Sequence, residues 1–308
     1  MGIALYGLLL VLAASGAVYG IDVAATGSRR GVGWRRIGLV VTGVLVFVGL
    51  ALTGSALIES ERTTLIVGLA ASACGGSLGL VLSARGRQEI ARVLPLDADA
   101  PRDWLGLVAL AWLVILRLAL YSQGESEVGE VSLGEAAIQA LVLVAIALAL
   151  IGTFLRRDLR QALDRLGLRP LSTRGYLIAT LGVIPFIVVS AASALLVDYV
   201  QPGTLDELEE TVTGITGGDT SIQFGLLLGI SAAVGEEALF RGALQPKYGL
   251  VFTSLIFALL HVQYDVLLVV GSLFPAGLIL GLERKYLGTT AAIVTHTLYN
   301  ALAVAGGS

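Results

Sequence analysis

The sequence predicts an all-α fold, a polytopic transmembrane helical bundle of about ten spans within a range of eight to ten. Three observations carry this reading. Of 308 residues, 56% are apolar and 14% charged, with a mean hydropathy of +0.87. A soluble domain has about a quarter of its residues charged, so a deficit spread along the whole chain makes lipid the main solvent. Apolar stretches recur at the length of about 20 residues that a helix needs to cross ~30 Å of hydrocarbon. Basic residues gather in alternate loops, as orientation in a membrane requires.

The stretches lie near 2–21, 37–57, 64–83, 104–121, 133–155, 176–197, 222–244, 250–264, 266–282 and 288–305. In the first, Ala13, Ala14, Ser15 and Ala17 resemble a cleavage site, yet no basic region precedes it and its arginines follow. It reads as an uncleaved span with its N-terminus outside. The eighth is short and the ninth follows almost at once, as in a hairpin. Arg29, Arg30, Arg35 and Arg36 fill loop one, and Arg85, Arg87, Arg92 and Arg102 loop three. Loop five holds Arg156, Arg157, Arg160, Arg165, Arg169 and Arg174. Arg241 and Lys247 end the seventh span, while Arg284 and Lys285 follow the ninth. Thus 18 of the 20 basic residues fall on one side, leaving only Arg62 outside and Arg117 within the fourth span. The opposite loops carry Glu59, Glu61, Glu125, Glu127, Glu130, Asp206, Glu207, Glu209 and Glu210. Ten alternating spans with both termini outside satisfy this partition. The expected location is a multi-pass plasma-membrane protein, with the basic loops cytoplasmic.

Loop five differs from a plain connection. Leu155, Leu159, Leu163 and Leu166 recur at helical spacing between arginines, which predicts an interfacial amphipathic helix over about 155–167, stopped by Gly167 and Pro170. It divides the chain into an N-terminal bundle (1–175), to which the sequence assigns no role, and a C-terminal core (176–305). Gly225–Gly229 and Gly277–Gly281 offer small faces for close helix packing. A net charge of −3 gives no sign of a nucleic-acid partner. Cys74, the one cysteine, excludes an internal disulfide and a cysteine metal cluster.

Chemistry concentrates in the C-terminal core. The seventh span contains Gly235-Glu236-Glu237-Ala238-Leu239-Phe240-Arg241. Each such charge near a bilayer centre costs about 2.5–3.5 kcal/mol on insertion scales, so three within six residues need partners or a wet cavity. Glu237 and Arg241 are i and i+4 and therefore share a face. Glu236 lies about 140° around the helix from Arg241 at ~100° per residue, free to face another surface. The two histidines of the chain fall in other spans, in Phe257-Ala258-Leu259-Leu260-His261 and in His296-Thr297-Leu298-Tyr299-Asn300. Alternating topology brings Glu236, His261 and His296 to one level, about 12–17 Å from the cytoplasmic helix ends at 1.5 Å per residue.

These three ordered segments, Glu-Glu-x-x-x-Arg at 236–241, Phe-x-x-x-His at 257–261 and His-x-x-x-Asn at 296–300, resemble the motifs of the CPBP family. That family comprises CAAX prenyl proteases and bacteriocin-processing enzymes, also called the Abi or type II CAAX endopeptidase family. The Phe-Arg-Gly that usually closes its first motif is present at 240–242. The resemblance implies an intramembrane endopeptidase acting on a membrane-associated peptide or lipidated protein from a cavity on the cytoplasmic side. It implies that Glu236 with His261 activates a water and that His296 and Asn300 stabilise the oxyanion, while Glu237 and Arg241 give structural support. Glu236, His261 and His296 would equally make a zinc set with one open position, and the family is often labelled a metalloprotease. Its best-understood prenyl proteases, however, look like metal-free glutamate enzymes, and no His-x-x-x-His pair lies on one helix here. The expectation is no cofactor, with Zn2+ as the alternative. Two other classes stay open on the residues alone. One is a non-proteolytic membrane binding or regulatory protein; the other is an ion- or proton-coupled transporter, for which buried charges and Pro185 and Pro275 would serve.

Overall fold

The computed structural model describes residues 43–53, 55, 57, 62–97, 101–122, 129–153, 157–261 and 269–306. These are overwhelmingly helical, with no strand among them beyond an isolated bridge between Thr153 and Arg157. The chain divides into two compact units, 1–126 and 127–308. The first stretch of the sequence reading, 2–21, and the start of the second lie outside the described residues.

The first unit contains α1 (Gly43–Thr53), α2 (Arg62–Leu82), α3 (Ala84–Ala91) and α4 (Pro101–Ser122). Small residues let α1 and α2 meet backbone to backbone. A Cβ on Gly49 would lie 2.6 Å from the Ser72 nitrogen, and one on Gly68 2.7 Å from the Thr53 nitrogen. Helix α4 is tied to α2 by Trp112, whose Nε1–H is within 3.0 Å of both the Cys74 carbonyl and the Ser77 hydroxyl.

The second unit follows as α5 (Leu133–Leu150), α6 (Leu159–Leu166), α7 (Thr173–Val200), α8 (Thr204–Thr216) and α9 (Ile222–Glu237). A π-helical segment π1 (Ala238–Leu244) continues α9 into α10 (Gln245–Tyr248). Then come α11 (Leu250–Leu259), a second π segment π2 (Val269–Leu273), α12 (Phe274–Tyr286) and α13 (Thr289–Gly306). A capping box of Ser132 and Glu135 starts α5, and Asp158 with Gln161 starts α6. The Asp158 cap explains why α6 begins at Leu159, later than the expected 155. Gly167 closes α6 in a left-handed conformation, as expected. Both α5 and α6 belong to the compact unit that holds the core, whereas the sequence reading divided the chain at 175.

Helix α9 is the centre of this unit and packs on α13 and α5. The Gly225–Gly229 face receives α13: added Cβ atoms would lie 3.0 Å from the Ala301 carbonyl and 2.9 Å from the Thr297 carbonyl. Gly235 serves α5 in the same way, 2.9 Å from the Ala140 Cα. Gly277 faces Ser254 of α11, so the second small-residue face is also a packing face.

Among the described residues, four helical stretches have the length and composition to cross a membrane: Thr63–Leu82, Leu133–Leu150, Thr173–Val200 and Ile222–Tyr248. Shorter apolar helices occupy Gly43–Thr53, Gly106–Ala119 and Leu250–Leu259. Of the expected span 250–264, Leu250–Leu259 is helical, Leu260 and His261 form a turn, and 262–264 lie outside the described residues. At 1.5 Å per residue its ten helical residues reach about 15 Å, half the hydrocarbon thickness. His261 sits in the turn that follows the last helical residue, Leu259.

Candidate active site

Charge and packing make two adjacent pairs from the motif residues. At the end of α9, Glu237 and Arg241 are both wholly buried, and Arg241 Nε lies 3.1 Å from Glu237 Oε2. The same carboxylate takes a second partner, His296 of α13, whose Nδ1–H donates to Glu237 Oε1 over 3.0 Å. The i, i+4 pair was legible in the sequence; the bond to His296, across 59 residues, was not. It follows from the close approach of α13 along the Gly225–Gly229 face.

Glu236 looks the other way, toward α11. His261 Nε2 stands 3.7 Å from Glu236 Oε2, and both side chains keep a small exposure of 19% and 14%. That gap exceeds a direct hydrogen bond but suits two groups sharing one water. His261 Nδ1 lies 2.7 Å from the Phe257 carbonyl. A carbonyl only accepts, so Nδ1 carries the proton, and in the neutral ring Nε2 then presents its lone pair toward Glu236.

Phe257 links the pairs, a part the Phe-x-x-x-His spacing alone did not reveal. Its ring lies under the Arg241 guanidinium, 4.7 Å from Cζ to centroid, and meets His261 at 4.6 Å and His296 at 6.1 Å. Such a desolvated cation–π contact is worth about 2 kcal/mol, and it supports a guanidinium whose Nη1 and Nη2 find no hydrogen-bond acceptor among the described residues. Phe240 packs edge-on to the same ring at 5.3 Å. On the far side of His296, Phe186 of α7 stacks on Tyr299 with centroids 4.0 Å apart. Asn300 stands one turn along α13 from His296, and its Cβ lies 3.1 Å from where a Cβ on Gly229 would be.

The sequence reading did not single out Glu283. This carboxyl on α12 is within 2.7 Å of the Thr295 hydroxyl, which lies 2.7 Å from the Ala179 carbonyl as well. Glu283 thus ties α12 and α7 to the residue preceding His296.

Glu236 pairs with His261 and Glu237 with His296, and among the described residues no three of His, Cys, Asp and Glu are grouped to hold a metal ion.

The model of one protein family, described as type II CAAX prenyl endopeptidase Rce1-like, matches residues 218–302. The match runs from just before α9 into α13 and takes in Glu236, Glu237, Arg241, His261, His296 and Asn300. No curated protein and no solved structure matches the chain. The three motifs and this match fall on the same helices, and the match supports the resemblance of residues 218–302 to the CAAX protease and bacteriocin-processing family.

Proposed function

We propose that the chain is an intramembrane endopeptidase that hydrolyses a peptide bond of a membrane-associated peptide or lipidated protein. The observation that carries this reading is the pairing of Glu236 with a lone-pair-bearing His261 Nε2 at 3.7 Å, beside a His296 anchored on Glu237. A water held between Glu236 and His261 gives its proton to Glu236 as its oxygen attacks the scissile carbonyl carbon. The resulting oxyanion takes hydrogen bonds from His296 Nε2–H and the Asn300 amide. When the intermediate collapses, the C–N bond breaks and the proton on Glu236 passes to the leaving amine. His296 has a proton on Nε2 only as imidazolium, and Glu237 balances that charge. With Glu236 and Arg241 included, the four charges sum to zero, which lowers the cost of burying Glu237, Arg241 and His296.

Comparing newly formed protein termini in membranes carrying the natural chain or Glu236→Gln tests the activity and finds its substrates. Termini that depend on Glu236 are expected, and identical sets from both membranes would sink the reading.

In this proposal no step needs a metal. The purified chain is expected to contain far less than one equivalent of zinc and to keep its activity in chelator. About one equivalent, with activity lost on chelation and restored by zinc, would reverse that expectation.

The proposed topology is about ten spans in a plasma membrane, with the site opening to the cytoplasm. The one-sided distribution of 18 basic residues supports it. A cysteine introduced at Glu127 or Glu209 should react with an impermeant thiol reagent added outside intact cells, and one at Arg160 should not. Labelling at Arg160 would overturn the orientation.

A further inference from the structure

The π segment that bears Arg241 has an unmet need in its own backbone. The Gln245 N–H donates to the Phe240 carbonyl, five residues back. In that register the next carbonyl, Arg241, faces Pro246, which has no N–H to give. In the ordinary four-residue register the Gly242 carbonyl faces the same proline. At this change of register Pro246 removes the main-chain donor that the Arg241 carbonyl would meet in one register and the Gly242 carbonyl in the other, in a wholly buried turn where an orphaned acceptor is costly.

Two arginines from elsewhere supply what is missing. Arg284 of α12 donates from Nε to the Arg241 carbonyl over 3.1 Å, and Arg165 of α6 donates from Nη1 to the Gly242 carbonyl over 3.2 Å. Arg284 also donates from Nη2 to the Arg165 carbonyl over 3.3 Å, which joins the two donors to each other. Gly242 has no side chain to hold α6 away; a Cβ there would lie 3.0 Å from Leu166 Cδ2, and Leu166 is fully buried. Beyond Leu166 the chain turns to α13. The Thr289 N–H donates to the Gly167 carbonyl over 3.0 Å, and the Thr290 hydroxyl to the Arg169 carbonyl over 2.8 Å. Residues 159–170 therefore touch the segment that bears Arg241, the helix that bears His296, and Arg284 of α12. Burial first, and then the charges of Arg165 and Arg169, lower the pKa of Arg284 from its ordinary value. Its place among cations is thus electrostatically unfavourable, and the two backbone bonds offset that cost.

We propose that residues 159–170 form a strap that sets the placement of π1, with Arg165 and Arg284 as positioning residues for Glu237, Arg241 and His296. The strap lies outside the segment matched by the family model. What the placed residues do rests on the endopeptidase reading; the strap itself does not.

Hydrogen exchange of the full-length reconstituted chain, read at the amides of 238–249, tests the strap directly. Arg165→Ala and Arg284→Ala are each expected to speed exchange there about tenfold, with α7 unchanged. In a cleavage assay kcat should fall about tenfold while KM stays within about twofold. Arg165→Lys retains a donor and should restore most of both. Pro246→Ala returns a main-chain N–H, so in that background the effect of Arg165→Ala or Arg284→Ala should shrink to about threefold or less. Unchanged exchange at 238–249 in both single variants, or losses equal with and without Pro246, would overturn the proposal. Exchange needs no substrate, which separates the two readings. A natural chain that cleaves nothing, yet loses protection in Arg165→Ala, would sink the endopeptidase reading and support the strap. An Arg165→Ala chain with natural kcat and natural protection would do the reverse.

Discussion

Glu236→Gln should abolish cleavage and leave the fold intact. A positioned general base contributes about 10²–10⁴-fold, and the amide keeps the size of the carboxylate while losing its ability to take a proton. Little stability is at stake, because Glu236 is partly exposed and stands 3.7 Å from His261 without a direct hydrogen bond. Yield and melting temperature should therefore match the natural chain while the rate falls by at least about a hundredfold. His261→Ala should lose rate on the same scale, since it removes the second acceptor for the water. A Glu236→Gln chain cleaving at the natural rate would refute the assignment of the base. Equal losses of rate and melting temperature would make Glu236 a structural residue instead.

What the sequence disclosed of this site follows from where its constraints are local. A charge inside an apolar run is conspicuous because the bilayer makes it expensive, so Glu236, Glu237 and Arg241 could be read directly. The Glu237–Arg241 pair follows from helical spacing alone. Motif order linked Glu236 to His261 and His296, but the division of partners did not follow from spacing. His296 binds Glu237 because α13 sinks onto two glycines of α9. The π segment leaves no periodic mark, since its extra residue alters register without altering polarity. Nor does any glycine or proline mark the end of α11, and the apolar run passes through Leu260 as if the helix continued. The strap was visible as an amphipathic helix, yet its leucine pattern suggests a surface lying on lipid. In the structure Leu159 and Leu163 are exposed while Ala162 and Leu166 are fully buried, so the side that packs inward is set by Ala162 and Leu166 rather than by the leucine pattern.

Glu237→Gln should be the most damaging conservative change in the chain, for a reason unlike that for Glu236. Its carboxylate is wholly buried and faces two groups at once, Arg241 at 3.1 Å and His296 at 3.0 Å. Removing one partner of a buried pair costs about 3–5 kcal/mol, because the other charge stays desolvated and uncompensated. Here the remaining charge would be Arg241, whose Nη atoms have no other acceptor among the described residues and only the Phe257 ring beneath them. Melting temperature and membrane yield should both fall, and cleavage with them. Replacing both charges separates the two consequences. A Glu237→Gln, Arg241→Met chain no longer buries a lone cation and should recover much of the lost stability, as apolar replacement of buried ion pairs often does. It should not recover cleavage, because His296 still lacks the carboxylate that stabilises its imidazolium form and orients its Nε2. Recovery of both in the double variant would mean that Glu237 only balances Arg241 and that His296 works without it. Recovery of neither would mean that Arg241 holds π1 in place through contacts that methionine cannot supply.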